Sequence, residues 1–454
     1  MKAKELFDLS RLSINEDGKR ISIFSLAFPT LIQYILTAVI GTVNTAMISD
    51  YAEDAVGAIS ACSQIITLAA AIAAMITVGA NVTVNIELGR GNRKRAAQFA
   101  GTALICSTVL GLLLSITFAL FAEDILTAMK IEGEALVHGT SYLSIYGGVT
   151  ALLTVSNSLT SLLICYGYTT QTMIKNIGCT AVGVLCGYLF LKIDLIQWLD
   201  GTVAVSVGNV ISLACNLAAT VVLVLRSHIP IAPCADISTI WRILKIGIPG
   251  GVPGISYMLA QTVTTSLMAQ ISIETLNVKS YVSTIVQYTY FVSCALATGV
   301  QIMMGRYAGQ GNIPAMKHLA ASSTLIAVIS NGACSVAVLL LHKQLLSMFT
   351  SNSEIIAAAA IIFVIDIAVE LIRAVNHVLE WSLNAAKNVY TTLAASIISC
   401  WVGSVLLTYI FGIKLGMGLT GCWLAFAIDE LIKASIYAVR WCSGKWQKGL
   451  IAKG

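Results

Sequence analysis

Apolar residues along this chain come in long unbroken runs, not in the alternating or one-faced patterns of soluble strands and helices. Crossing a bilayer as a helix takes about 20 residues. Runs of that order fall near 21–47, 55–87, 97–121, 137–163, 171–191, 202–225, 242–271, 279–304, 318–341, 355–383, 390–411 and 418–439. Six lie in each half. The polar punctuation repeats as well: Leu88-Gly89-Arg90-Gly91-Asn92 closes the second run, and Ala308-Gly309-Gln310-Gly311-Asn312 closes the eighth, 220 positions later. The same shift carries Gly79 onto Gly299 and Pro29 onto Pro249. After a three-residue deletion an offset of 217 carries Ser161-Leu162 onto Val378-Leu379 and Gly201 onto Gly418. Two like halves of this size are a transporter plan, because two facing bundles make a central cavity that can open to either side.

Composition sets the class. The chain is 57% hydrophobic and 11% charged, with mean hydropathy +0.85, against roughly 25% charged residues in soluble domains. The expected fold is an all-α membrane protein: twelve transmembrane helices in two six-helix bundles related by an internal repeat. Residues 1–20 form a polar N-terminal segment with at most a short surface helix, 21–225 the first bundle, 226–245 a linker with Pro230 and Pro233, 246–441 the second bundle, and 442–454 a basic tail.

Basic residues give the orientation, since short cytoplasmic loops retain Lys and Arg. With both termini inside, twenty basic residues fall on inner segments, among them Arg90, Arg93, Lys94, Arg95, Lys175, Arg226 and Arg440. Only Lys130, Lys192, Lys279, Lys343 and Lys414 fall outside, and Arg373 and Lys433 lie within spans. The cell membrane (inner or plasma) is the expected location. The net charge of +5 is thus a topology signal, and no nucleic-acid partner is expected. No cleavable signal precedes the first run. The twelve cysteines lie mostly within spans, and no CxxC pair or Cys/His cluster suggests a metal or a disulfide. Neither Gly-x-Gly is followed by a Walker lysine or preceded by a strand, so ATP binding is rejected. A turn requiring glycine conformations explains the motif better, and the second copy, followed by Ile313-Pro314-Ala315, shows that the basic cluster is not what both halves need. No paired catalytic carboxylates, nucleophile elbow or sizeable soluble domain points to an enzyme, and no cofactor is expected.

Polar residues within spans are candidates for a cavity. Gln33, Thr37 and Asn44 share a face of the first span, and either bond neighbouring helices or line a cavity. The seventh span opens with Gly247-Ile248-Pro249-Gly250-Gly251-Val252-Pro253-Gly254, which should bend or loosen it. Tyr257, Gln261, Thr264 and Met268 share one face there, and Tyr281, Thr284, Tyr288 and Phe291 share one in the eighth span; such aromatics are core packing or a surface for flat or cationic substrates.

The tenth span is the most unusual. Asp366, Glu370, Arg373, His377 and Glu380 stand at i, i+4, i+7, i+11 and i+14, within about 80° of one helix face. Such groups cannot face lipid, where each would cost about 2.5–3.5 kcal/mol even on the mildest scale. They form a structural ladder with Arg373 holding Glu370, or a coupling site in which His377 and Glu380 exchange protons with the cavity. Asp429, Glu430 and Lys433 of the last span are the next candidates.

The whole chain resembles the multidrug and toxic compound extrusion (MATE) family of the MOP flippase superfamily. The resemblance rests on the 6+6 arrangement, Phe28-Pro29, Asp54-Ala55-Val56-Gly57-Ala58-Ile59-Ser60, the two Gly-x-Gly-Asn turns with Ala96-Ala97, Gly247-Ile248-Pro249 and Gly299. It implies a V-shaped pair of bundles and ion-coupled antiport of organic, often cationic, small molecules, driven by protons or sodium ions. A monomer is expected, and the runner-up reading is a lipid-linked glycan or lipid flippase of the same superfamily. Three positions depart from the family pattern: Asn44 stands where an Asp is common, Tyr257 where many sodium-coupled members carry Glu, and Arg373 where the tenth span carries Asp. The family's coupling residues therefore do not carry over.

Overall fold

The computed structural model describes residues 12–16, 19–49, 53–192, 201–350 and 352–447. Helix dominates it. The order is β1 (Ser13–Glu16), β2 (Lys19–Ser22), α1 (Ile23–Ser49), α2 (Glu53–Gly89), α3 (Arg93–Ala128), α4 (Glu134–Tyr142), α5 (Thr150–Cys165), α6 (Thr169–Lys192) and α7 (Gly201–Arg226). The second half continues with α8 (Ile237–Ile271), α9 (Ile273–Gln310), α10 (Ile313–Leu340), the single-turn α11 (His342–Ser347), α12 (Ser353–Ala385), α13 (Val389–Ile398) and α14 (Gly418–Cys442). Among the described residues ten helices are long and apolar enough to cross a membrane, and eleven when α4 and α5, bent by 43° at Gly148-Val149, count as one span. The wider turns of Ser399–Leu406 and Thr408–Lys414 carry α13 on to the length of a span. The twelfth is α14, less apolar because Asp429, Glu430 and Lys433 sit at its middle. The chain is thus an all-α membrane protein of twelve spans, six to each half.

Ahead of the first span the chain differs from expectation. Ser13–Glu16 and Lys19–Ser22 pair as an antiparallel hairpin, Ser13 opposite Ser22 and Glu16 opposite Lys19, where at most a short helix was expected. The intervening Asp17-Gly18 is the dipeptide that favours two-residue hairpin turns. The connection between halves is also shorter than the sequence suggests, since Ile237 to Lys245 is already helix. Its Ala232 N–H donates to Ala97 O at 3.0 Å, and Cys234 O accepts from Thr102 Oγ1 at 2.6 Å, so it is strapped to α3. At its end Asp236 accepts from Ser238 Oγ at 2.5 Å, and these local hydrogen bonds hold its carboxyl below the ordinary carboxylate value. Despite Pro249 and Pro253, α8 runs as one helix.

By contacts the chain forms two compact units, one of Ile32–Val84 with Asn92–Ile248, the other of Pro249–Gly454 with Met1–Leu31 and Asn85–Gly91. The chain passes from one unit to the other just after Pro29 in α1 and at Pro249 in α8, positions related by the repeat.

The first unit centres on Ile59, Cys62, Ile66, Phe118, Leu126 and Leu143. Its α6 and α7 pack closely because Gly208 of α7 meets the backbone of Gly187 of α6; a Cβ on Gly208 would lie 2.9 Å from Gly187 Cα. Without a hydrophobic drive between helices in lipid, such small-residue contacts supply the packing.

In the second unit α12 packs on α9, α10 and α14, around Val282, Ile285, Ile362, Phe363 and Trp423. The repeated motif has a physical account here. Gly91 (φ 76°) and Gly311 (φ 68°) take the left-handed conformation that only glycine adopts without strain. Asn92 and Asn312 then cap the next helices, accepting from Arg95 N and Ala315 N at 3.1 Å each. The first glycines are needed for approach: a Cβ on Gly89 would strike the backbone of Arg306, and one on Gly309 the backbone of Ile86. Residue 86 shifted by 220 is residue 306, so the contact is reciprocal.

Candidate functional site

The second unit holds a cavity of about 330 Å³ between α8, α9, α12 and α14. A span that is apolar on three sides can carry charge only on the side turned from lipid, and the ionisable face of α12 turns to α14. Arg373 stands at the centre. Its guanidinium pairs with Glu370 one turn back on α12, and its Nε donates to Glu430 Oε1 of α14 at 3.2 Å. Lys433 of α14 reaches the same Glu430 Oε1 at 3.2 Å and Asp429 Oδ2 at 3.4 Å. Seen from the carboxylates, Glu430 is shared by two cations on two helices.

Neutral donors complete the cluster. Asn331 of α10 donates from Nδ2 to Glu370 Oε2 at 3.2 Å and to Ser293 Oγ at 2.5 Å. Asn376 donates to Glu430 Oε2 and to the Glu430 carbonyl at 2.7 Å each, and Trp423 Nε1 donates to Asp366 Oδ1 at 3.0 Å. These contacts set the amide orientations, since a carboxylate oxygen can only accept. They leave Asn331 Oδ1, Asn376 Oδ1, His377 Nδ1 and Asp429 Oδ1 buried without a hydrogen-bond partner. Buried polar atoms are nearly always paired, so the cluster has unused capacity to accept.

Of the tenth-span face, Asp366 and Arg373 line the cavity, while Glu370 is fully buried behind them. His377 packs edge-on to Tyr290, with ring centroids 5.3 Å apart, and Arg373 lies 5.7 Å from the same ring. Glu380 is half-buried, lies in the field of Lys433 and Glu430, and has no ion-pair or hydrogen-bond partner among the described residues. Tyr257 and Gln261 line the cavity, whereas Thr264 and Met268 of the same stripe are buried. Tyr257 lies within electrostatic reach of Arg373, Lys433, Glu430 and Asp429, so two of the three departures from the family pattern share one cavity.

Tyr288 does not line it. That side chain is 40% exposed and meets Phe291 edge-on, while Tyr281 stacks on Phe349. The cavity takes Ser283, Val286, Gln287 and Tyr290 from α9 instead. Gln33 is half-buried on the part of α1 that belongs to the first unit, so the cavity does not include it. The Asn44 side chain lies outside the described residues.

Asn331, Asn376, Ser293 and Trp423 escape sequence reasoning. Each is uncharged, and nothing in its spacing marks it as a partner of the ionisable groups.

Comparison with known proteins agrees with this architecture. The MatE family model matches residues 29–189 and 249–410, beginning at Pro29 in one half and at Pro249 in the other. "Uncharacterized transporter YisQ" of Bacillus subtilis is 28% identical over 439 residues, covering 95% of this chain and 96% of the relative. "Probable multidrug resistance protein NorM" of Thermotoga maritima is 18% identical, covering 94% and 93%. Among solved structures, a multidrug resistance MATE family transporter of the MOP superfamily in an outward-facing conformation superposes with TM-score 0.85 at 17% identity, covering 93% of this chain and 96% of that one. A MOP superfamily transporter from Pyrococcus furiosus, described as having a binding pocket of reverse polarity, also gives 0.85, at 16% identity, covering 94% and 96%. With its two matched halves covering most of its length, the chain belongs to the MatE family of multi-pass membrane transporters.

Proposed function

We propose that this protein is a secondary active exporter of organic cationic or amphiphilic small molecules, with the α12–α14 charge cluster exchanging substrate against protons or sodium ions. The observation that carries this is charge balance. Five carboxyl groups, Asp366, Glu370, Glu380, Asp429 and Glu430, share the region with three permanently cationic side chains, Arg373, Lys433 and, lining the cavity, Lys279, and with one imidazole, His377, that carries charge only when protonated. Two carboxyl groups are surplus when His377 is neutral, and one when it is protonated. Uncompensated charge within a membrane is costly, so the surplus is balanced by protons or cations drawn from solution. A substrate cation entering beside Tyr257 and Tyr290 competes for the same negative charge, and that competition is antiport. Aromatic faces favour such cations.

The flippase alternative calls for a cationic cavity to hold anionic lipid-linked groups, and the carboxyl surplus argues against it. The test is uptake of an ethidium-like dye into everted vesicles under separately imposed pH and sodium gradients. Accumulation driven by one gradient and abolished by its collapse is the expected result. Accumulation indifferent to both gradients would remove the ion-coupled reading.

A further inference from the structure

The first unit holds a second cavity, of about 430 Å³, in the seam between α6 and α7. The two helices are antiparallel neighbours, so the start of α6 and the end of α7 meet at one membrane face. Two basic residues mark that end of the seam. Arg226, the last residue of α7, is exposed, and among the described residues its guanidinium has no partner. Lys175 lies half-buried six residues into α6, about 9 Å along its axis. Its ammonium donates to Thr160 Oγ1 at 2.9 Å, Asn216 Oδ1 at 3.0 Å and Thr220 Oγ1 at 2.7 Å. All three acceptors are uncharged. The three donors of Lys175 are thus filled while its charge has no carboxylate against it among the described residues.

The walls of the seam are apolar: Ile174 is 62% exposed and Val222 48% exposed. The site is therefore basic at the membrane face and greasy below it. We infer that the α6–α7 seam binds an anionic phospholipid, its phosphate held by the free fork of Arg226 within the field of Lys175 and its acyl chain lying along Ile174 and Val222. Basic pockets between spans recognise lipid headgroups in this way. Arginine supplies the donors because its planar fork matches a phosphate in two places. Lysine supplies the fixed charge. A free phosphate would meet the same cations but would leave the apolar walls uncovered.

The test uses the purified full-length chain in detergent. Phosphatidylglycerol and phosphatidylcholine of matched chain length are titrated separately and binding is read by native mass spectrometry. Inorganic phosphate is compared with both lipids by thermal shift. Phosphatidylglycerol should bind more tightly than phosphatidylcholine, and Arg226→Gln should weaken it about fivefold, the effect of one basic residue near the surface. Lys175→Gln should do the same; if it fails to fold, having lost its ties to α5 and α7, the exposed Arg226 still decides the matter. Equal binding of the two lipids, unchanged phosphatidylglycerol binding by Arg226→Gln, or equal stabilisation by inorganic phosphate would overturn the assignment.

Discussion

Replacing Arg373 with alanine is expected to abolish export, as measured by dye uptake into everted vesicles. Its guanidinium is paired at once with Glu370 on α12 and Glu430 on α14. Removing one partner of a buried ion pair costs about 3–5 kcal/mol, because the remaining charge stays buried. Here two carboxylates lose a partner. Arg373→Lys separates charge from geometry: it keeps the positive charge, but a point-like ammonium cannot take the place of a fork that reaches two helices. Loss of one charged hydrogen bond, about 1.5–3 kcal/mol, should then reduce export roughly tenfold to hundredfold while the protein still folds. Glu370→Gln should likewise lose export while inserting normally, since Asn331, itself tied to Ser293, still donates to the side chain. If Glu370→Gln combined with Arg373→Ala transported near the parental rate, the pair would be a dispensable structural bridge.

The second large effect is expected at Lys433. Lys433→Ala leaves Asp429 and Glu430 without their shared cation, at a cost again of about 3–5 kcal/mol, and should lower the melting temperature of the purified chain and stop transport. Adding Asp429→Asn removes one of the stranded charges, so the double variant should recover much of the lost stability but not the ion dependence of export. Contacting charges couple non-additively. Strictly additive losses, or a Lys433→Ala chain as stable and active as its parent, would mean that Lys433, Asp429 and Glu430 of α14 do not act as one network.

How much of this was legible beforehand follows from what periodicity can encode. Span length and repeat are one-dimensional, so the twelve spans and the Gly-x-Gly-Asn turns are visible in the chain. Helical spacing also places Asp366, Glu370, Arg373, His377 and Glu380 on one face. It cannot say what that face meets. That Arg373 reaches Glu430 depends on the packing of α12 against α14, and no spacing within α12 encodes it. For the same reason the aromatic stripe of α9 nominates Tyr288, whereas the cavity takes Tyr290, two residues away on another face. Lys175 reads as a topology marker in the sequence because its partners Thr160, Asn216 and Thr220 come from the two flanking spans, and no spacing within α6 encodes them. The hairpin at 13–22 was signalled by Asp17-Gly18, but short amphipathic strands are weak beside a long apolar run.

The central claim is that substrate and coupling ion compete for the surplus carboxyl groups of one cluster. It can be measured without a membrane gradient. The purified chain in weakly buffered detergent is titrated with an ethidium-like cation; binding is followed by fluorescence, proton release by an indicator dye and sodium release by a sodium electrode. The account predicts that the parental protein gives up protons or sodium ions in proportion to dye bound, and that Glu370→Gln with Glu430→Gln binds dye with little release. Saturable dye binding to the parental protein with no release of either ion would contradict it.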